Sequence, residues 1–236
     1  MVFNIDCMQY MKECKKNSMH TTLTDIPYGE VSRTNNGLSQ MKNSDKGFAD
    51  KTTFDLIEFL DEIYRITSDN IIIFCGKGQF STIYNYFAAK NQGTVRQIIW
   101  RKTNPVPSNG RYVYLSGIEN AVWFRKPKGT FNAHCKNTVF EYPEDDAELE
   151  ALIGDKILSY PIQSKQIHPT EKSHRLIEEL ILDNTNEGDI IFDPCMGSGS
   201  TGLMAYKNNR KFIGCELNTE AFEKAKARLQ ANGWEK

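Results

Sequence analysis

The chain has 236 residues with 29 Lys and Arg against 30 Asp and Glu, a net charge of −1. This length suits one α/β domain with a substantial core, and the charge balance argues against a general polyanion binder. No apolar run reaches the roughly 18 residues of a membrane span, and the N-terminus lacks a basic and apolar leader, so we expect no membrane contact and a cytoplasmic location. The six cysteines include no Cys-x-x-Cys pair, and with four scattered histidines they predict neither disulfides nor a metal site.

The N-terminal segments predict a strand, a helix and a second strand. Residues 2–7 are read as the first strand, and residues 7–16 as a helix for which Asp6 is a suitable N-cap. Residues 19–23 predict the second strand. Chemistry is expected where that second strand ends.

A tetrad with an acid, a proline and an aromatic residue lies at this strand exit: Asp25, Ile26, Pro27 and Tyr28. These residues could serve a reaction at an exocyclic amine of a base, such as methyl transfer, which requires acceptors for the amino protons because the nitrogen lone pair is delocalised into the base. Asp25 and the Ile26 carbonyl would accept these hydrogen bonds. Pro27 would hold the turn, and Tyr28 would stack on a base turned out of the duplex. A strand that ends in a proline turn over a buried tyrosine explains the same residues equally well.

The segment that follows the tetrad has a different composition. Residues 29–52 are rich in Ser, Asn, Gly and charged residues and have little periodicity, which predicts a mobile loop over the target base. Plain disorder is compatible with the same composition.

The middle of the chain alternates between helical and strand patterns. Residues 53–66 and 79–89 predict helices, and residues 70–75 and 96–100 predict strands, the first of them buried on both faces. Residues 117–124 predict a late strand that is partly antiparallel. With the later elements, this pattern predicts a single doubly wound, mostly parallel sheet with helices on both faces.

Residues 96–136 form a strongly basic stretch. Eight Lys and Arg stand against Glu119 alone, a local net charge of +7, and aromatic residues are interleaved with them. Such a composition is typical of a surface that follows phosphates and stacks bases. A solvated charged face over core aromatics is the alternative. The residues predicted to contact nucleic-acid phosphates are Arg101, Lys102, Arg111, Arg125, Lys126 and Lys128.

Residues 137–166 form an acidic insert. Seven acids and no Lys or Arg lie between residues 141 and 155. A short helix with a negative first turn is predicted there. It is interpreted as a solvated surface helix, a lid or a subunit contact.

A strand, a glycine-rich loop and a helix are predicted around residues 188–202. Gly197, Gly199 and Gly202 have the spacing of a dinucleotide fingerprint, and Glu216 ends the next strand. NAD would fit that spacing. Asp193, however, precedes the glycines and would repel a pyrophosphate, whereas it would attract the ammonium of S-adenosylmethionine.

The loop therefore predicts S-adenosylmethionine as the cofactor. Glu216 would accept hydrogen bonds from both ribose hydroxyls. The cofactor-binding residues that we assign to this region are Asp193, Pro194, Gly197, Ser198, Gly199, Thr201 and Glu216.

Three motifs, in their order, resemble those of DNA amino-methyltransferases of the beta arrangement. Residues 25–28 resemble the Asp-Pro-Pro-Tyr tetrad, residues 167–172 (Ile-His-Pro-Thr-Glu-Lys) the His-Pro-Thr-Gln-Lys-Pro stretch, and residues 192–199 the cofactor loop. In this arrangement the catalytic motif comes first and the cofactor motifs come last. Read as a permuted cycle, the chain is expected to continue its sheet after Glu216 and the last helix with the strand of residues 2–7. The resemblance covers about residues 4–229.

The resemblance implies further roles. It places Asp6 on the cofactor's adenine amino group and the Cys7 backbone beside the ring, while Asp6 as a helix cap stays an alternative. It places His168, Thr170 and Lys172 near the methionine end of the cofactor, and Thr170 also suits an N-cap. The acidic insert would lie where a target-recognition segment is expected.

The resemblance also implies the reaction. It predicts a site-specific DNA methyltransferase acting on duplex DNA with a flipped base, and aspartate at position 25 favours N6 of adenine over N4 of cytosine. An RNA or protein amino-methyltransferase and a silent cofactor-binding module are the alternatives, and the basic stretch favours nucleic acid. A homodimer and a restriction-enzyme partner are left open.

Overall fold

The fold is organised around one eight-stranded sheet. The computed structural model describes residues 1–28, 54–102, 117–133, 158–160 and 172–234. The strands are β1 (Val2–Phe3), β2 (Met19–Asp25), β3 (Thr67–Cys75), β4 (Thr94–Lys102), β5 (Ile118–Arg125), β6 (Leu158–Tyr160), β7 (Ile190–Asp193) and β8 (Lys211–Cys215). Their order across the sheet is β1-β8-β7-β2-β3-β5-β4-β6.

The strands run parallel with the exception of β5. Its register with β3 and β4 is antiparallel, and all other pairings are parallel. The predicted antiparallel strand is therefore confirmed, and so is the mostly parallel sheet. We call the edge at which the parallel strands end the carboxyl edge, and the opposite one the amino edge. Ligand sites in such sheets form beyond the carboxyl ends of the strands.

Helices cover both faces of the sheet, as a doubly wound fold requires. They are α1 (Cys7–Glu13), α2 (Leu56–Ile66), α3 (Lys77–Ala88), α4 (His174–Asn184), α5 (Ser200–Lys207) and α6 (Thr219–Ala231). One core cluster unites the apolar faces of α1, α2 and α3 with the sheet. A second cluster does the same for α4, α5 and α6 on the other face.

The helix starts follow local capping chemistry. Asp6 caps α1 by accepting from the backbone N–H of Met8 and Gln9, and Asp55 caps α2 in the same way. Helix α4 begins at His174 with Ser173 as its N-cap residue. The predicted cap, Thr170, lies outside the described residues. Strand β6 was not predicted, because three residues are too few to show a period.

Gly202 lets α5 approach β8 closely. A Cβ at this position would stand 2.6 Å from the ring of Phe212, which is buried in the core. Small residues at this point of a nucleotide-binding loop permit close packing of helix and strand.

Gly202→Ala should therefore destabilise the fold by about 1 to 3 kcal/mol, since the core must shift to admit the methyl group. Gly78→Ala in α3 is the matched control, because a Cβ there meets nothing within 4 Å. The control should stabilise the helix by about 0.5 to 1 kcal/mol. Urea unfolding of both variants measures the two changes, and equal destabilisation would contradict this account.

No helix in the described ranges is long and apolar enough to cross a membrane. In the same ranges, no group of three or more His, Cys, Asp or Glu is placed to hold a metal ion. The predicted loop 29–52 and the acidic insert, except for the three residues of β6, lie outside the described residues.

Candidate active site

The tetrad lies at the carboxyl edge, at the end of β2. Asp25 pairs with Phe74 of β3, and the Ile26 N–H donates to the Phe74 carbonyl at 3.2 Å. The Pro27 carbonyl accepts a hydrogen bond from Gln79 Nε2 at 2.9 Å. Gln79 thereby fixes the turn to the first turn of α3. The sequence offered no signal for this role beyond a polar residue at a helix start.

The Asp25 side chain belongs to a cluster of opposite charges that we call the Asp25 cluster: Asp25, Tyr28, Lys102, Glu119 and Lys172. The Lys172 ammonium is paired with Asp25 Oδ2 and lies 3.0 Å from Glu119 Oε2. Lys102 Nζ lies 2.5 Å from Glu119 Oε1. The Tyr28 hydroxyl donates to Glu119 Oε2 at 3.1 Å. Two carboxylates are thus balanced by two ammonium groups.

Aromatic rings surround the buried ammonium of this cluster. Lys172 is only 5% exposed. Its Nζ lies 5.5 Å from the ring centroids of Tyr28 and Phe74 and 6.0 Å from that of Trp100. These rings exclude water, which strengthens every electrostatic interaction of the ammonium.

The electrostatics of the cluster separate the two carboxylates. Burial raises the pKa of Asp25; Lys172 opposes this effect, and Glu119 adds to it. Burial would also raise the pKa of Glu119, but Lys172 and Lys102 outweigh it and hold this pKa below its ordinary value. Burial opposes the charge of Lys172, but the two carboxylates raise its pKa. Glu119 is therefore the firmly ionised partner, and Asp25 is the acid closest to protonation.

One carboxylate oxygen of Asp25 lacks a hydrogen-bond donor. Asp25 Oδ1 is buried and accepts no hydrogen bond from the described residues. A buried acceptor without a donor is unfavourable unless a ligand supplies the donor. This atom is where a substrate N–H is expected.

The second acid of the site, Asp193, ends β7 beside β2. It is buried, and its Oδ1 accepts from Thr24 Oγ1 at 2.8 Å and from the Cys195 N–H at 3.1 Å. Burial raises the pKa of Asp193 to about 7 despite these hydrogen bonds. Thr24 joins the catalytic strand to the cofactor loop, a contact that sequence spacing could not reveal.

The glycine loop leaves room for a ligand. Gly197 has φ +47°, and a Cβ there would have only the Cys195 carbonyl oxygen as a neighbour, at 4.0 Å. Gly199 has φ +75° and is the N-cap residue of α5, with Ser200 and Thr201 buried behind it. Backbone N–H groups at a helix start and an anionic residue beside them suit a ligand with both carboxylate and ammonium groups. The residues present therefore fit the predicted cofactor.

Glu216 follows β8 and braces this loop. Its Oε2 accepts from the Gly197 N–H at 3.0 Å and its Oε1 from the Asn218 N–H at 2.8 Å. Each carboxylate oxygen has a further lone pair for a ligand hydroxyl. The predicted ribose contact is compatible with this bracing, and it stays a prediction.

The N-terminal strand extends the sheet beside β8, as the permuted motif order predicted. Val2 pairs with Gly214, and the Asn4 side chain donates to the Glu216 carbonyl at 2.8 Å. Asp6 therefore lies at the carboxyl edge, where its Oδ1 caps α1. Cys7 is buried, and its thiol forms a hydrogen bond with that of Cys195, which together with burial raises the pKa of Cys195. Cys195 is partly buried and packs against the core cluster that contains Cys7.

The remaining cofactor-loop residues lie around the same point. Ser198 is buried and shares a hydrogen bond of 2.9 Å with Ser200. Arg228 of α6 donates to the Ser198 carbonyl at 3.2 Å, so that a second helix braces the loop. Pro194 follows Asp193 directly. His168 lies outside the described residues, and Lys172 is paired with Asp25.

The predicted DNA contacts do not form one surface. Arg101 and Lys102 end β4 at the carboxyl edge, where Arg101 is exposed. Lys102 is engaged with Glu119 in the Asp25 cluster. Arg111 lies outside the described residues. Of the two described residues, Arg101 is the more exposed and the better placed for a phosphate contact.

The other three basic residues lie toward the amino edge. Arg125 pairs with Asn70, four residues before Phe74 on β3, which puts it roughly 13 Å along the strand from the level of Asp25. Lys126 and the exposed Lys128 follow Arg125 in the next turn. The reversal of β5 separates these residues from the tetrad.

The Lys126 ammonium is engaged within the fold. It donates to the backbone carbonyls of Tyr64, at 2.6 Å, and of Thr67. Burial is the main reason that its pKa falls to about 8. This ammonium holds the turn after β5 in place. A phosphate could bind it only by competing with the two backbone carbonyls.

Comparison with known proteins agrees with this site. The N6/N4 methyltransferase family model, described as DNA methylase, matches residues 19–227. The chain belongs to this DNA methylase family. The resemblance stated from the three motifs is thereby confirmed.

The alignments with two curated relatives span nearly the whole length of this chain. The type II methyltransferase M2.DpnII of Streptococcus pneumoniae is 28% identical over 96% of this chain and 88% of its own. The type II methyltransferase M.HinfI of Haemophilus influenzae is 28% identical over 95% of this chain and 67% of its own.

Solved structures agree on the fold of this methylase. The crystal structure of an M1.HpyAVI–SAM complex has a TM-score of 0.66 at 30% identity and covers 97% of this chain and 99% of its own. The PvuII DNA methyltransferase, which is cytosine-N4-specific, has a TM-score of 0.66 at 15% identity over 99% of this chain and 87% of its own, a likeness of fold alone.

Proposed function

We propose that this methylase transfers a methyl group from S-adenosylmethionine to an exocyclic amino group of a base in DNA, with N6 of adenine as the favoured target. The observation that carries the proposal is the open Asp25 Oδ1, a buried acceptor at the end of β2. One residue before it, Thr24 contacts Asp193 of the cofactor loop at 2.8 Å. Methyl donor and acceptor sites are therefore adjacent.

The cofactor would be held by residues at the carboxyl ends of β7, β8 and β1. Asp193 would bind its ammonium, the N–H groups after Gly199 its carboxylate, and Glu216 its ribose. Asp6 and Cys7 would lie at the adenine. When bound, S-adenosylmethionine supplies an electrophilic methyl group.

The tetrad would prepare the amine for attack. Asp25 Oδ1 and the Ile26 carbonyl would each accept one amino proton, which draws the lone pair out of conjugation with the base. Tyr28 would stack on the flipped base, with its hydroxyl anchored by Glu119. One N–H proton must leave the nitrogen as the N–C bond forms, and Asp25 Oδ1 is the acceptor in reach.

The choice between adenine and cytosine rests on the aspartate at position 25. In the family resemblance, aspartate in the tetrad favours adenine and serine favours cytosine. N4 of cytosine is the second candidate, because the PvuII enzyme of similar fold is cytosine-N4-specific. A protein substrate is less favoured, since the exposed Arg101 is placed for a phosphate at the carboxyl edge. RNA is less favoured because the matching family model is described as DNA methylase.

The bacterial relatives support two further proposals. We propose that the chain acts in the cytoplasm, where bacterial DNA lies, and that its methylation protects DNA from a cognate restriction endonuclease. M2.DpnII and M.HinfI are both type II methyltransferases. A homodimer remains a sequence-based hypothesis.

Arg101→Gln should weaken duplex binding and flatten its salt dependence by about 0.9 in the log–log slope, the loss of one phosphate contact. Lys128→Gln is the matched control, because Lys128 is also exposed but lies toward the amino edge. Fluorescence anisotropy at several salt concentrations measures both slopes. A larger change for Lys128 than for Arg101 would indicate that DNA binds toward the amino edge and would contradict the proposed contact.

Mass spectrometry of the product tests the proposed function. The purified chain is incubated with methyl-labelled S-adenosylmethionine in parallel reactions that contain mixed-sequence duplex DNA, RNA or a protein extract, and the nucleic acids are then digested to nucleosides. We expect labelled N6-methyladenine. Labelled N4-methylcytosine would instead identify N4 of cytosine as the target. Label that appears in RNA or protein but not in DNA would overturn the proposal.

A further inference from the structure

Lys172 occupies a position that the cofactor does not explain. Its ammonium bridges Asp25 Oδ2 and Glu119 Oε2, and it is 5% exposed behind three aromatic rings. Burying a lysine and two carboxylates costs desolvation free energy. We therefore expect the charge of Lys172 to have a function at this place. Its contacts connect it to the catalytic acid.

We propose that Lys172, held in place by Glu119, is a positioning residue that fixes Asp25 as a one-sided acceptor, with Oδ2 occupied and Oδ1 open to the target amine. This inference rests on the proposed methyl transfer and names how its acid is prepared. It replaces the methionine-end role that the motif resemblance implied for Lys172.

The need for such a residue follows from the surroundings of Asp25. A protonated carboxyl accepts hydrogen bonds poorly and could rotate to offer a donor instead. Burial and Glu119 both raise the pKa of Asp25 and so favour its protonation, whereas Lys172 and, to a smaller extent, the Tyr28 hydroxyl lower it. Lys172 therefore decides whether Asp25 enters the reaction as an acceptor.

The other titratable groups around Asp25 act in a known direction. Cys75 lies close enough for Asp25 to add to the burial that raises its thiol pKa to about 12, so it stays neutral. Tyr28 stays protonated, since burial and the two carboxylates raise its pKa. Asp193, on the neighbouring strand, carries a like charge that Asp25 disfavours. Lys102 acts on Asp25 only through Glu119.

Two substitutions should move the pH dependence of turnover in opposite directions. Lys172→Met removes the charge that keeps Asp25 ionised, so the acid limb of the kcat–pH profile should shift to higher pH by about one to three pH units. Glu119→Gln removes the competing carboxylate, so that Lys172 pairs with Asp25 alone, and the acid limb should shift to lower pH by about one pH unit. A purely structural role would lower kcat in both variants without a shift.

The closing experiment includes a readout that does not depend on turnover. Carbon-13 NMR of the Asp25 carboxyl in the cofactor-free chain should show its titration displaced upward in Lys172→Met and downward in Glu119→Gln. Lys172→Arg should restore the wild-type midpoint, and thermal denaturation at pH 8 reports whether each variant is folded.

Lys90→Met is the matched control. Lys90 pairs with Asp61 at 3.8 Å and lies over the rings of Tyr64 and Tyr86, so it has the same kinds of partner as Lys172 at a more exposed place outside the site. This variant should shift neither the pH profile nor the Asp25 titration.

The inference and the proposed function can fail separately. Opposite shifts of the Asp25 titration support the role of Lys172 even if DNA proves to be the wrong substrate. An unchanged titration in a folded Lys172→Met chain, together with S-adenosylmethionine binding weakened tenfold or more, would return Lys172 to the cofactor and overturn the inference.

Discussion

Asp25→Ala is expected to lower kcat for methyl transfer to duplex DNA by about 10²- to 10⁴-fold, because the amine loses its hydrogen-bond acceptor and its proton acceptor together. The fold should persist, since Lys172 keeps Glu119 as a partner at 3.0 Å. The dissociation constant for S-adenosylmethionine should change by less than about threefold, since Asp25 is assigned to the amine. Single-turnover kinetics and calorimetry measure the two quantities.

Asp61→Asn is the control for this substitution. Asp61 accepts from the Tyr86 hydroxyl and pairs with Lys90, which resembles the chemistry of the Asp25 cluster away from the carboxyl edge. It should retain wild-type turnover. An Asp25→Ala chain with near-normal kcat would remove Asp25 from the mechanism.

Asp193→Asn is expected to abolish most cofactor affinity and yet to stabilise the free chain at pH 8. The amide keeps an oxygen for Thr24 and the Cys195 N–H, but it offers no charge to an ammonium. The lost charge-assisted hydrogen bond corresponds to about 1 to 3 kcal/mol of binding free energy.

The gain in stability follows from the pKa of Asp193. Burial raises this pKa to about 7, so the folded chain holds the proton more tightly than the unfolded chain does. The free energy of unfolding therefore falls as the pH rises from about 4 to about 7, by up to about 4 kcal/mol above that window. The neutral amide of the Asp193→Asn variant would carry no such penalty, and the variant should melt higher than wild type at pH 8 and similarly at pH 4.

Cofactor binding to the wild-type chain should show the matching pH dependence. Each pH unit below about 7 should weaken binding by up to tenfold, because a proton must leave Asp193 first. The Asp193→Asn variant should show a flat profile. Asp189→Asn, at the amino end of the same strand, is the control and should bind as wild type does. A flat wild-type profile would contradict the assigned role of Asp193.

Most of the fold could be predicted because its signals are local. Residues 71–75 of strand β3 are a continuous apolar run, α2 has a helical stripe behind Asp55, and the glycine loop follows a strand directly. The N-terminal strand could be placed beside β8 because the motif order implies a permuted cycle. Each of these signals lies within a few residues.

The Asp25 cluster could not be predicted because it depends on strand register. Glu119 lies near the start of β5, and only the antiparallel pairing of β5 brings it opposite Trp100 at the carboxyl edge. In the sequence it was the single acid of a basic stretch. The same reversal carries Arg125 toward the amino edge, so charge along the chain did not translate into charge on one surface.

The cofactor and catalytic motifs were readable for a different reason. Asp193, Gly197 and Glu216 lie at or just after strand ends, and such positions have a fixed spacing in the chain. Lys172 has the motif's spacing but lies on Asp25, which shows that a motif gives the neighbourhood of a residue and not its partner.

Modification-sensitive sequencing of genomic DNA is the most direct test of the central claim. Cells lacking other DNA methyltransferases would express either the wild-type chain or Asp25→Ala, and the two genomes would be compared. We predict N6-methyladenine at one short recurring sequence in the wild-type genome and none with the variant. Identical, unmodified genomes in both strains, with the wild-type chain folded and binding S-adenosylmethionine, would contradict the account.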